Sequence, residues 1–259
     1  MCVICYKPMG VQFPSKTKIK TMFKNNPNGA GFMYADGENV YIQKGFMTLG
    51  EFNSALNRVR QYTDYPFVLH FRITTNGGTS KGLTHPFALS DDVKTLMETA
   101  STTNIGIAHN GIIPMTAYAD KISDTAEFIR RYMSRIIRSE ADIDADTLDI
   151  IEACIDSKMA IMTASQDVHL LGKFIQDGNG VYYSNTSYQK KRTTAKTKTR
   201  TYYYPTDTYD YWSNYTASYN PNCDGYCRYC KYELDCIGEW SAVNPYCPTN
   251  YDREEDTAY

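Results

Sequence analysis

Two kinds of sequence share this 259-residue chain, and the change between them near residue 188 constrains the fold most. Before that point apolar residues recur with regular periods; from Gln189 onward they do not. "KKRTTAKTKTR" places six basic residues in eleven positions, and "TYYYPTDTYDYWSNYTASYNPN" is polar and Tyr-rich. Neither carries enough patterned apolar surface to bury a core. The chain is therefore read as a globular domain over 1–188, a basic, Tyr-rich linker over 189–222 and a Cys-rich tail over 223–259.

Within the first region the period switches between two and 3.6. "MCVICYKP" is β-prone, and Ser15 stands as an N-cap before a helical pattern at Ile19, Met22 and Phe23. Asp36-Gly37 is a hairpin signal between two strands. Thr48 and Glu51 have capping-box spacing ahead of Phe52, Leu56 and Val59 on one helical face. "PFVLHFRI" and "NIGIAHNGII" are apolar strands, each running into a polar loop. "SDDVKTLMETA", "SDTAEFIRRYMSRIIR" (capped by Ser123) and "DADTLDIIEACI" are helices, and "KMAIMTAS", "VHLLGKFI" and "GVYYSNTSY" are three consecutive strands. Clustered strands interleaved with helices predict an α+β fold of two packed sheets covered by helices. Cys5 and Cys154, in apolar patterns, are expected in the core.

A formal charge of −2 gives no global electrostatic reason to bind nucleic acid or membrane. No apolar run reaches membrane-spanning length, and no basic segment precedes an apolar one. Eight cysteines in such a chain point to free thiols, catalysis or metal rather than disulfides, and to a cytoplasmic protein.

Cys2 follows the initiator methionine directly. A small second residue permits removal of Met1, which would leave a thiol and a free α-amine on one residue. Their ordinary pKa values, about 8.5 and about 8, let one act as nucleophile and the other as base. On that stretch alone, Cys2 reads more simply as the buried start of a strand.

Taken in chain order, "MCVI", "NPNGAGF", "HFRITTNGG", "THPF", "AHNGII" and "SDTAEFI" resemble the class II glutamine amidotransferases, which are N-terminal nucleophile hydrolases. The resemblance covers roughly residues 2–188; the compact layout with a short tail also resembles small proteins encoded in bacteriophage genomes. It implies a four-layer αββα sandwich and hydrolysis of an amide, on glutamine or a γ-glutamyl compound. Cys2 would be the nucleophile, and the Asn110 side chain with the Gly111 N–H would form the oxyanion hole. Arg72 would grip the substrate carboxylate, a planar fork meeting a planar anion. Asp124 would take the α-ammonium, with Thr75 and His85 also in the pocket. An arginine after the apolar run "FVLH" is in any case oddly placed unless it faces a cavity.

The sequence departs from that family in several places. Val3 stands where glycine is usual, Ile73 replaces an aromatic residue, and Asn76 replaces a histidine. The chain beyond 188 is too short for the synthase that usually receives the ammonia. A separate synthase or ligase partner, a stand-alone amide hydrolase, or an adaptor with a decayed site each fit that layout. No cofactor is implied for the amide chemistry itself.

Cys223, Cys227, Cys230 and Cys236 form a C-x3-C-x2-C-x5-C series, with Cys247 nearby. This spacing suits Zn²⁺ or an iron–sulfur cluster, and equally an exposed, redox-labile tail. The basic, Tyr-rich stretch before it could touch single-stranded nucleic acid, but such runs are more often solvated linkers.

Overall fold

In "FVLHF", residues 67, 69 and 71 point to one side of a strand and 68 and 70 to the other, and this alternation sets the architecture. The protein is seen in a computed structural model that describes residues 2–74, 79–114 and 122–190. Strands β1 (Val3–Lys7), β2 (Ala30–Ala35), β3 (Val40–Phe46) and β4 (Phe67–Phe71) belong to one sheet. It is completed by β6 (Ala100–Thr103), β10 (Ile175–Gln176) and β11 (Tyr182–Tyr183), in the order β10-β11-β1-β4-β2-β3-β6. A second sheet has the order β5-β7-β8-β9, from β5 (Phe87–Ala88), β7 (Ile105–Asn110), β8 (Lys158–Thr163) and β9 (Val168–Leu171). Every pairing is antiparallel.

Three apolar clusters follow from the strand parity. Phe32, Phe67, Leu69 and Phe71 face helices α1 (Lys16–Asn25) and α2 (Leu49–Val59), burying Ile19, Met22, Phe52 and Leu56. The opposite parity, Ile4, Met33, Val40, Ile42 and Val68, meets Ala88, Ala108, Ala160 and Met162 of the second sheet. Small residues on that side let two sheets approach closely. The outer face of the second sheet, with Ile105, Ile107, Met159 and Ile161, buries residues of α3 (Val93–Met97), α4 (Asp124–Phe128) and α6 (Ala145–Ile155). At about 1.5–3 kcal/mol for each fully buried large apolar side chain, these clusters dominate the stabilising terms. The result is a mixed α/β chain with two antiparallel sheets and packed helices.

Local signals act where expected. Ser15 Oγ accepts from Lys18 N, Thr48 and Glu51 form the reciprocal capping box, and Ser123 Oγ accepts from Ala126 N. Asp36 Oδ1 accepts from the N–H groups of Glu38 and Asn39 and shapes the β2–β3 hairpin.

Three features differ from the sequence reading. The helix beginning at Asp124 passes through a π-helical turn at Ile129–Met133 before α5 (Ser134–Ile136). The three expected strands become four: "VHLLGKFI" divides into β9, which pairs with β8 in the second sheet, and the start of β10, which pairs with β11 of "GVYYSNTSY" in the first sheet, where β11 lies against β1. Cys154 is exposed rather than in the core, because α6 buries Ile151 and Ile155 and turns residue 154 outward; Cys5 is buried. Among the described residues, no helix is long and apolar enough to cross a membrane.

Candidate active site

Strand pairing carries Cys2 and Arg72 to the same sheet end. The β1–β4 register ends at Val3 opposite Phe71, and the next residues are Cys2 and Arg72. On the far side of β4 the ladder continues, with Arg72 N–H donating to Gly29 O at 2.8 Å and Asn28 N–H donating to Arg72 O at 2.9 Å. The "NPNGAGF" stretch thus holds the Arg72 backbone, and Asn28 Oδ1 also accepts from Thr74 N at 2.9 Å. Gly31 is required there: a Cβ would lie 2.3 Å from His85 O.

The Cys2 thiol accepts from Ile73 N–H at 3.4 Å and donates to Ile73 O at 3.5 Å. Burial raises its pKa, opposed by the Ile73 N–H and the Arg72 charge. Asn185 Nδ2 donates to Cys2 O at 2.6 Å, fixing the residue from the β11 side.

Arg72 is only 5% exposed. Burial lowers its pKa, while Cys2 and Asp124 favour the charged form. It lines a notch of about 40 Å³ together with Cys2, Ile73, His85, Gly111 and Asp124, space for a few waters or a compact polar head. Asp124, in the first turn after the Ser123 cap, accepts from Ile113 N at 2.8 Å through Oδ2 and from Thr125 N at 2.8 Å through Oδ1. Among the described residues each of its oxygens takes one of these bonds, and a carboxylate oxygen can accept two.

β7 delivers Asn110 and Gly111 to the same end. Asn110 is buried, and its amide meets Ser184 Oγ at 2.9 Å. At Gly111, a Cβ would lie 2.3 Å from Ser157 Cβ, so no larger residue fits. Cys2, Asn110, Gly111, Ser157, Lys158 and Asn185 are among the residues around a second cavity of about 370 Å³. The two cavities share Cys2, Ile73, Gly111 and Ile112.

Behind Cys2, three buried histidines tie the sheets together. His70 Nε2 donates to His109 O at 3.0 Å, from the first sheet to the second. His109 N–H donates to His85 Nδ1 at 3.0 Å, so the neutral His85 ring carries its proton on Nε2. Ser157 O–H donates to Ile155 O at 2.8 Å, and its oxygen is therefore the acceptor for His109 Nε2 at 2.6 Å. Thr125 Oγ1 lies 2.9 Å from His109 Nδ1 and donates to it. Burial pushes His70 down to about 3 and His109 to about 4, and lowers His85 strongly. All three rings are neutral at physiological pH.

The structure thus brings together Cys2, Arg72, His85, Asn110, Gly111 and Asp124 around adjoining cavities. Thr75 and the tail cysteines Cys223, Cys227, Cys230 and Cys236 lie outside the described residues. Among the described residues, no group of three or more His, Cys, Asp or Glu is placed to hold a metal ion. Ser184, Asn185, Ser157 and His109 were not singled out by sequence. Nothing in "YYSNTSY" marks a residue that reaches the chain's beginning, since that contact spans 180 positions. For His109 a signal existed: a histidine inside the apolar strand "IGIAHN" must find polar partners when buried. No protein-family model matches the chain, and no curated protein matches it at a significant level.

Proposed function

We propose that the chain hydrolyses the side-chain amide of glutamine or a γ-glutamyl compound, as a class II amidotransferase domain with Cys2 as N-terminal nucleophile. The observation that carries this reading is convergence. Cys2, Arg72, Asn110, Gly111 and Asp124, as far apart as positions 2 and 124, line two cavities that share Cys2, Ile73, Gly111 and Ile112. The order of the apolar clusters, helix to sheet, sheet to sheet, sheet to helix, supports an αββα sandwich.

The chemistry divides between the cavities. Arg72 and Asp124 present opposite charges to the carboxylate and ammonium of the substrate head. The amide then reaches Cys2 and extends toward the larger cavity, because the notch alone is too small for an amino acid. Burial raises the Cys2 thiol, so a proton acceptor is needed, and removal of Met1 supplies one in the Cys2 α-amine. Sulfur attacks the amide carbon as its proton passes to that amine. The oxyanion is held by Asn110 and Gly111 N–H, and the amine returns the proton to departing ammonia. Water then cleaves the thioester. The ammonia goes to a separate synthase or ligase, or is simply released.

In the tail, Cys223, Cys227, Cys230 and Cys236 are read as ligands of one metal ion, with Zn²⁺ the first choice. A cytoplasmic setting would keep these thiols reduced.

Ammonia release from glutamine by the mature full chain tests the proposal. Wild type is expected to turn over and Cys2→Ala to lose all activity while keeping its fold. Equal ammonia release by both proteins contradicts it.

A further inference from the structure

The Asn110 amide has two orientations of the same shape, and the groups around it decide between them. Ser184, fully buried, receives the Ile4 N–H at 2.8 Å on its Oγ. A backbone N–H only donates, so this contact uses a serine lone pair and leaves the hydroxyl proton to be placed. With Asn110 Nδ2 toward Ser184, the serine oxygen accepts a second time at 2.9 Å. Its proton then gains nothing from either contact, and Asn110 Oδ1 remains buried without a hydrogen-bond partner among the described residues.

Turning the amide over pairs the serine proton with Oδ1 and leaves Nδ2 in the buried, unpartnered position. Ile4 N–H still donates to Ser184 Oγ, and Ser184 O–H now donates to Asn110 Oδ1. The group left waiting is a donor, Nδ2, on a residue that lines the cavity beside Cys2. The serine itself is held on its backbone: Ser184 N–H donates to Ile4 O at 2.9 Å, and Lys158 Nζ donates to Ser184 O. Lys158 is the cross-strand neighbour of Asn110, so β1, β7, β8 and the segment after β11 are locked around one amide.

We propose that Ser184 is a positioning residue: its hydroxyl fixes Asn110 with Nδ2 turned away from the serine, a donor held for the oxyanion. This rests on the amide-hydrolysis reading above and adds to it the group that sets the donor's direction.

The test compares full-length wild type, Ser184→Ala, Asn110→Ala and the double variant. Ser184→Ala is expected to lower kcat about ten- to a hundredfold, somewhat less than the 10²–10³-fold of a deleted oxyanion donor. KM for glutamine should stay within about twofold. Alkylation of Cys2 by iodoacetamide, which forms no tetrahedral oxyanion, should proceed at the wild-type rate. The double variant should match Asn110→Ala, since one residue acts through the other. Wild-type kcat in Ser184→Ala, full additivity in the double variant, or alkylation slowed in proportion to kcat would each overturn the proposal. Should Ser184→Ala not fold, ¹⁵N-asparagine-labelled wild type decides. Asn110 amide protons with no Overhauser contact to Ser184 Hβ support the assignment, and a strong contact refutes it. Wild type that releases no ammonia defeats the hydrolysis reading instead, and the amide orientation is still read separately by this spectrum.

Discussion

On one face of β4, Phe67, Leu69 and Phe71 meet an aromatic core under α1 and α2, where Phe52 packs against Phe32, Phe46 and Phe71. On the other face Val68 meets small apolar residues of the second sheet, and His70 reaches across to His109 O. The first face is built mainly of large apolar side chains, and the polar atoms buried in it are few and paired: Lys7 Nζ donates to Thr63 O and Tyr65 O, and Tyr183 O–H donates to Asp177 Oδ2. The second, near Cys2, is a seam of neutral imidazoles, hydroxyls and backbone groups with fixed donors and acceptors. One face holds the fold together by burial, and the other spends polar groups in the interior on fixing directions. The same strand serves both because its side chains alternate.

If that division is right, the largest change in stability comes from the aromatic face. Phe52→Ala should lose about 3–5 kcal/mol, the usual cost of truncating a buried phenylalanine, as measured by urea unfolding. A loss below about 1 kcal/mol would mean that the site refills easily and the face is not the main apolar anchor.

The histidine seam should reveal itself through pH. Folded His109, with its pKa pushed down to about 4, stays unprotonated where the unfolded chain's histidine, near 6.5, takes up a proton. Stability therefore falls as pH drops from about 6.5 toward 4, by up to about 1.4 kcal/mol per pH unit from this residue. His70 and His85 act with the same sign. Urea midpoints measured from pH 7 down to 5 should decline; constant midpoints would show that the seam accepts protons without penalty.

Arg72, one residue beyond Phe71, should affect binding rather than stability. Arg72→Lys keeps the charge but loses the two-pronged contact, so KM for glutamine should rise about ten- to a hundredfold. An unchanged KM would remove Arg72 from substrate recognition.

The smallest effect is expected from deleting residues 191–259. The cut belongs after residue 190, not 188, because Asn25 Nδ2 donates to the carbonyls of Ser187 and Gln189 and Tyr188 stacks on Tyr183. Amide hydrolysis should persist unchanged, and about one bound metal per chain, read by elemental analysis, should disappear with the tail. Aggregation of the shortened chain would place the domain boundary further on.

Sequence legibility followed the same division. The alternation in "FVLHF", the Asp36-Gly37 turn and the caps at Ser15, Thr48 and Ser123 are local, and each was readable. Two-residue strands such as β5, and the departure of β10 and β11 to the other sheet, depend on partners far along the chain. Cys154 was misread because α6 carries apolar residues on more than its buried stripe: Ile150 is 60% exposed. At the site, motifs led to Cys2, Arg72, Asn110, Gly111 and Asp124. They did not lead to Ser184 or Asn185, whose significance comes from lying against Ile4, Asn110 and Cys2.

The central claim is that Cys2 is the N-terminal nucleophile of an amide hydrolase. Intact-mass spectrometry with N-terminal sequencing, before and after treatment with a glutamine-analogue electrophile, tests it most directly. Active protein should lack Met1 and gain a single adduct, located on Cys2. Active protein that retains Met1, or an adduct on another residue with Cys2 unmodified, would contradict it.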